Sequence, residues 1–230
     1  MGETAEPAQV TESGWYRHLD LVATILLAVA TVTTAWSAFQ SSKWGGYSTA
    51  SYSAATAGRT LSNRSATLAG QQTIIDVTLF TDWLAAVNEE QGQVLPPSYV
   101  PDPTTYSGFL YERFRPEFRP ALHAWLAEDP ATDPDAPPSP FAMDEYVLAA
   151  AQESQRLESS ADASATVARE ANQRKDNYVL ATVMCASVLF FCGIGGKLSS
   201  VRSRTAMIVL AGVFLLATIG VLATYPVRFG

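Results

Sequence analysis

The feature that most constrains this chain is where its charge-free apolar runs lie. Residues 178–196 and 205–225 carry no charged side chain, and residues 19–39 carry one, Asp20. A bilayer core is about 30 Å thick, and an α-helix crosses it in roughly 20 apolar residues. All three runs meet that length. The expectation is three transmembrane helices, over 18–40, 178–196 and 205–225. A soluble protein would have to bury three such helices, and the middle of this chain cannot do it. Residues 41–177 hold 10 basic and 18 acidic side chains (10 − 18 = −8), which is why the mean hydropathy of the whole chain is only +0.08. The first run is read as a retained anchor. Secretory signals begin basic and have an apolar core of about 7–15 residues, whereas this leader carries Glu3, Glu6 and Glu12 against Arg17, and its apolar run is longer.

Topology follows from the short connection between the second and third spans. Residues 197–204 contain Lys197, Arg202 and Arg204 and no acid. Short cytoplasmic loops are enriched in Lys and Arg, so this loop is expected inside. The N-terminal tail, 1–17, is then cytoplasmic, and residues 1–13, acidic and without periodicity, are expected to be disordered. Residues 41–177 and the tail 226–230 are extracytoplasmic. Lys43, Arg174 and Lys175 sit near the outer boundary and weigh against that orientation. Trp15 and Tyr16 before the first span, and Trp36 and Trp44 near its far end, suit the headgroup level.

The middle region reads as two long helices and a cap. In 47–92 a seven-residue stripe runs through Tyr47, Ala54, Leu61, Leu68 and Ile75, with Ser51, Gly58, Ser65 and Leu79 four residues after its members and Gln72 interrupting. That is a heptad-like seam. Gly45-Gly46 marks a candidate kink. In 141–177 the seam reads Val147, Ala150, Ser154, Leu157, Ala161, Ser164, Ala168 and Ala171, opposite Glu153, Arg156, Glu170 and Arg174. Ser139 and Pro140 suit the start of this helix, which is expected to run unbroken from Phe141 into the second span. Joined to separate spans, the two helices form an antiparallel, coiled-coil-like stalk. Residues 93–140 hold most of the prolines and form the cap, with short helices expected near 104–114 and 120–128, the first started by Asp102-Pro103. The fold class is an all-α membrane protein.

Few residues point to chemistry. The repeat Phe114-Arg115-Pro116 and Phe118-Arg119-Pro120, preceded by Arg113, is one candidate. Arg113, Phe114, Arg115, Phe118 and Arg119 present guanidinium and aromatic groups of the kind enriched at interfaces, or else the rings anchor the cap and the arginines pair with acids. Thr24, Thr31 and Ala38 share a face of the first span at seven-residue spacing. Such a face packs helices or, in an oligomer, lines a hydrated pore. Asp20 lies beside Arg17 at the inner boundary. Cys185 and Cys192 share a face of the second span and read as small packing residues. His18 and His123 lack ligand-spaced partners, so no metal site or cofactor is expected. Gly193 to Lys197 fails the phosphate-loop pattern, because Leu198 stands where Ser or Thr is required. Asn63-Arg64-Ser65 fits a glycosylation sequon but falls within an expected helix.

Residues 35–44 (Ala-Trp-Ser-Ala-Phe-Gln-Ser-Ser-Lys-Trp), 111–125 with the Phe-Arg-Pro repeat, 136–143 and 171–174 (Ala-Asn-Gln-Arg) resemble a family of bacterial membrane proteins with no assigned function. The resemblance implies three spans in a bacterial inner membrane. It implies no activity and transfers no site residue. The resulting expectation is a non-enzymatic, homo-oligomeric membrane protein whose outer helical domain mediates assembly or contacts an extracytoplasmic protein partner. The alternative is an ion channel lined by the first span. The bilayer is the expected surrounding, and nucleic acid is not an expected partner.

Overall fold

The computed structural model describes residues 10–92 and 95–229, with side chains from Arg17 onward. The described residues are helical and contain no strand: α1 (Val10–Gln91), α2 (Tyr106–Tyr111), α3 (Arg119–Ala127), α4 (Ala149–Gly195) and α5 (Val201–Leu222), with one 3₁₀ turn at Pro140–Ala142. Three of these, α1, α4 and α5, are long and apolar enough to cross a membrane. The tail expected over 1–13 is helical from Val10. Its first nine residues, and the side chains of Trp15 and Tyr16, lie outside the described residues.

Proline placement accounts for the helix lengths. None falls between Pro7 and Pro96, nor between Pro140 and Pro226, and an interior proline would cost a helix about 3 kcal/mol. The helix runs through Gly45-Gly46 without interruption. It stops at Gly92, whose φ of 67° is the left-handed conformation that ends helices.

The chain divides into two compact units. The first contains the described residues up to Ala54 and those from Ala163 onward. Here α1, α4 and α5 pack through Ala30, Val188, Cys192, Ala211 and Leu215, and through Leu19, Ala23 and Ile208. The surface of these segments is apolar: Leu21, Val22, Ile25, Val32, Val183, Phe190, Val213 and Leu216 are all exposed. Arg202 and Arg204, expected in the loop, belong to the start of α5.

The second unit, Ala55–Asp162, has an aromatic core. Phe80, Trp83, Tyr99, Tyr111, Phe114, Phe118 and Trp125 are buried together, with Phe141 and Tyr146 packed against them. This core corrects the expected start of α4. Phe141 stacks on Phe118 at 5.3 Å, and Tyr146 meets both rings, at 5.1 and 5.9 Å. On a helix, residues five apart diverge by roughly 140°, so these rings could not both face one core. The segment takes a 3₁₀ turn and then a non-regular path, and α4 begins at Ala149 rather than Phe141. The start of α2 is also corrected. Its cap is Thr105, whose side chain accepts from the Gly108 amide. The Asp102 carboxylate instead accepts from the Thr104 hydroxyl and amide, at 2.7 and 2.8 Å. These bonds hold that carboxyl below its ordinary range.

The seven-residue stripe expected on α1 is displaced by one residue, whereas its companions Ser51, Gly58, Ser65 and Leu79 are half-buried and Gly58 lies against Ala161 of α4. Leu61, Leu68 and Ile75 are 47, 49 and 50% exposed, and Ile74 is 68% exposed. The buried positions are Ser48, Ala55, Ser62, Ala69, Asp76 and Trp83. Their period is the same seven, on the neighbouring face. Of the seam expected on α4, Ser154, Ala161, Ala168 and Ala171 are buried and Ala150, Leu157 and Ser164 half-buried, whereas Val147 lies before the helix and is 44% exposed. In the first unit the Ser48 hydroxyl donates to the Ala168 carbonyl at 2.9 Å. In the second, the Ser62 hydroxyl donates to the Ser154 carbonyl at 2.9 Å.

Candidate functional sites

The Phe-Arg-Pro repeat forms part of the second unit's core. Phe114 and Phe118 are 2 and 0% exposed. Between them Arg115 turns inward to Asp76, which is fully buried. Arg115 Nε and Nη2 donate to the two carboxylate oxygens at 3.0 and 2.6 Å, a bidentate geometry that aligns both groups. The Tyr146 hydroxyl donates to the same carboxylate at 3.1 Å. The Asp76 bonds hold the Arg115 guanidinium above its ordinary pKa. Burial raises the Tyr146 phenol, so it stays a neutral donor. These three contacts tie the buried carboxylate into the core of the second unit. The sequence offered no way to choose Asp76 as the partner, because it is 39 residues away.

Arg113 and Arg119 remain nearer the surface. The Arg113 guanidinium lies 3.3 Å from the centroid of the Phe109 ring and donates to the Phe109 carbonyl at 2.8 Å. Arg119 lies over Tyr111 at 5.2 Å. The exposed union of guanidinium and aromatic groups is therefore Arg113 with Phe109 and Tyr106, which are 46 and 61% exposed, rather than Arg113 with Phe114 and Phe118. His123, at the surface, shares a 2.6 Å hydrogen bond with the Tyr111 hydroxyl.

In the first unit Thr24, Thr31 and Ala38 are all exposed. Both hydroxyls donate to their own helix, Thr24 to the Asp20 carbonyl at 2.8 Å and Thr31 to the Leu27 carbonyl at 2.7 Å. A hydroxyl bonded to the carbonyl four residues back needs no water and no second helix. The packed face of α1 is again the neighbouring one, with Leu19, Ala23, Ala30, Ser37, Gln40 and Trp44 buried. Asp20 pairs with Arg204 of α5, joining α1 and α5 at one end. Cys185 and Cys192 are buried free thiols in the helix packing.

At the other end of the spans lies an arrangement that sequence reasoning missed. The segment after α5 is held by three side chains from α1 and α4. The fully buried Gln40 amide donates to the Arg228 carbonyl at 3.2 Å and accepts from the Arg228 amide at 2.9 Å. Trp44 Nε1 and the Tyr178 hydroxyl both donate to the Pro226 carbonyl, at 3.2 and 3.1 Å. So fixed, Arg228 lays its guanidinium 3.6 Å from the Tyr47 centroid and 5.6 Å from that of Trp44. Arg174 approaches the same tryptophan at 4.7 Å.

Among the described residues, no group of three or more His, Cys, Asp or Glu could hold a metal ion. No protein-family model, curated protein or solved structure matches the chain.

Proposed function

We propose that this chain is a homo-oligomeric, non-enzymatic protein of a bacterial inner membrane. Its N-terminus is cytoplasmic. Residues 41–177 form an extracytoplasmic antiparallel helical hairpin with a Pro-rich cap, and the hairpin mediates self-assembly. The topology rests on Lys197 after α4 with Arg202 and Arg204 in the first turn of α5, and the location on the resemblance to bacterial membrane proteins.

The observation that carries the assembly reading is the stripe Leu61, Leu68 and Ile75, half exposed at a seven-residue period. A sustained period of seven is the signature of a supercoiled helix pair. Within the chain, α4 takes the neighbouring face. Copies anchored by the same spans stand parallel, so their stripes meet at the same height, and a second copy is the natural occupant. Full burial of a Leu or Ile contributes about 1.5–3 kcal/mol, so covering the exposed half of each stripe residue contributes about 1 kcal/mol. The exposed Tyr106, Phe109 and Arg113 offer a separate surface for an extracytoplasmic protein partner.

The test is the native mass in lipid nanodiscs. The expected result is a discrete oligomer for the wild type and dissociation in the Leu61→Gln/Leu68→Gln/Ile75→Gln variant. A strictly monomeric wild type overturns the reading.

A further inference from the structure

We infer that the Trp44 end of the three spans binds the phosphate of an anionic phospholipid, with Arg228 and Lys43 as its recognition groups and the groove between α1 and α5 seating an acyl chain. Four cations belong to this end of the helices: Arg174 and Arg228 share the Trp44 ring, the Lys175 stem passes Gly45, and Lys43 precedes Trp44 in the sequence. Arg174 and Lys175 have carboxylates nearby, Glu170 at 3.8 Å and Asp176 at 3.9 Å. Arg228 and Lys43 make no ion pair among the described residues. Each rests on aromatic rings, Arg228 on Tyr47 and Trp44 and Lys43 at 5.6 Å from Phe39. Cation–π contacts hold a cation in place while leaving its charge unneutralised.

The position of Arg228 is not accidental. Gln40 clamps its backbone on both sides, and Trp44 and Tyr178 fix Pro226. A guanidinium held this rigidly, with two guanidiniums sharing one indole, suits a doubly charged or bridging anion. Phosphate fits, because guanidinium groups bind its oxygens in bidentate fashion.

A second observation selects a lipid over a free anion. An open groove of about 410 Å³ runs between α1 and α5, lined by Val32, Thr33, Trp36, Ile219, Leu222 and Ala223. Trp36 forms its wall and contacts Phe229 at 6.0 Å, the residue next to Arg228. Phe229 is 75% exposed. A shallow apolar groove next to an arginine that makes no ion pair among the described residues matches a molecule with an acyl chain on one side and a phosphate on the other. Amphipathic aromatic rings at this level belong to the headgroup region. The inference rests on the three helices spanning a bilayer and is independent of self-assembly.

The test compares the purified protein in phosphatidylcholine and phosphatidylglycerol nanodiscs, with retained lipid counted by native mass spectrometry after detergent exchange. The wild type should retain phosphatidylglycerol preferentially. A basic side chain near an anionic surface is worth roughly fivefold in binding, so Lys43→Gln/Arg228→Gln should lose about 25-fold. Lys197→Gln, at the opposite end of the spans, should lose none. Equal retention of the two lipids by the wild type overturns the inference, and so does an equal loss in the Lys197→Gln control. Inorganic phosphate that displaces the retained lipid at millimolar level, or alone raises the melting temperature as much as phosphatidylglycerol does, also overturns it, because the groove would then contribute nothing.

Discussion

Replacing Arg115 by methionine should destabilise the second unit more than removing any other single polar contact there. Asp76 is fully buried and accepts bonds of 3.0 and 2.6 Å from Arg115 and 3.1 Å from Tyr146. Methionine keeps an apolar stem of similar reach and removes both guanidinium bonds. Removing one partner of a buried ion pair costs about 3–5 kcal/mol, because the remaining charge stays desolvated. Tyr146→Phe removes one bond to a charged group and leaves the ion pair, so it should cost about 1.5–3 kcal/mol. The double variant carries a stronger expectation. Asp76→Leu/Arg115→Met replaces the pair with apolar side chains, and such replacements are often near neutral. It should therefore recover at least about 2 kcal/mol relative to Arg115→Met alone. The assay is hydrogen exchange of the amides of residues 73–90 in nanodiscs, which reads local opening free energies. Arg115→Met should speed exchange by roughly two to three and a half decades, at about 1.4 kcal/mol per decade. Acceleration below tenfold, or a double variant as labile as the single, would refute the argument that Asp76 depends on Arg115.

Two further perturbations probe the contacts around α2. An alanine at Gly108 would place its Cβ 1.9 Å from the Asp102 carbonyl oxygen and 2.6 Å from the carbonyl carbon. Both are backbone atoms that cannot rotate aside, so Gly108→Ala should cost about 3 kcal/mol or more, seen as lost exchange protection over 105–111. Glu90 accepts from the Ser107 hydroxyl and, at 3.0 Å, from its amide, and these bonds lower its pKa. A folded-state pKa below the unfolded value gives stability that is present at neutral pH. That stability is lost as pH falls from about 4.3, the ordinary glutamate value, through the lower folded value. Exchange over 105–111 should accelerate in that window. Ser107→Ala removes the largest cause of the shift and should flatten the acid response, whereas an unchanged profile would exclude Glu90 as its source.

Much of the fold was legible because charge and proline segregate along the chain. The three apolar helices follow from charge-free runs, and α2 and α3 fall within the proline-rich stretch where short helices were expected. The seam on α4 was legible because its small residues oppose a charged face. On α1 the period was readable and the register was not. Leu61, Leu68 and Ile75 attract attention because they are large and apolar, but the bonds and close approach to α4 are made by Ser48, Gly58 and Ser62. Small side chains carry almost no hydropathy, so a face built from them looks like nothing in particular. The first span repeats the displacement: Thr24, Thr31 and Ala38 are exposed, while the adjacent Ala23, Ala30 and Ser37 are packed. The clamp on the last residues was beyond reach for a different reason. Gln40 and Arg228 are 188 positions apart, and no local pattern couples them.

The use of small residues for the intrachain seam has a consequence that depends on the solvent. Helices that meet through Ser and Ala turn their large apolar side chains outward. In a bilayer, which three of these helices are long and apolar enough to cross, this costs nothing, since lipid tails are as apolar as leucine, and Leu21, Ile25 and Val32 are exposed there. The same outward arrangement recurs in the second unit with Leu61, Leu68, Ile74 and Ile75, each at least 47% exposed. There the neighbouring side chains include Arg59 and Arg64, and residues 41–177 are strongly acidic, a composition that belongs in water. In water an apolar stripe of this regularity carries a free-energy cost that burial removes. One rule of helix packing therefore turns large apolar side chains outward in both units, and under the proposed assembly a second copy covers those of the second unit. By that rule, substituting Leu61 and Leu68 should change subunit number, whereas substituting Leu21 and Ile25 should not.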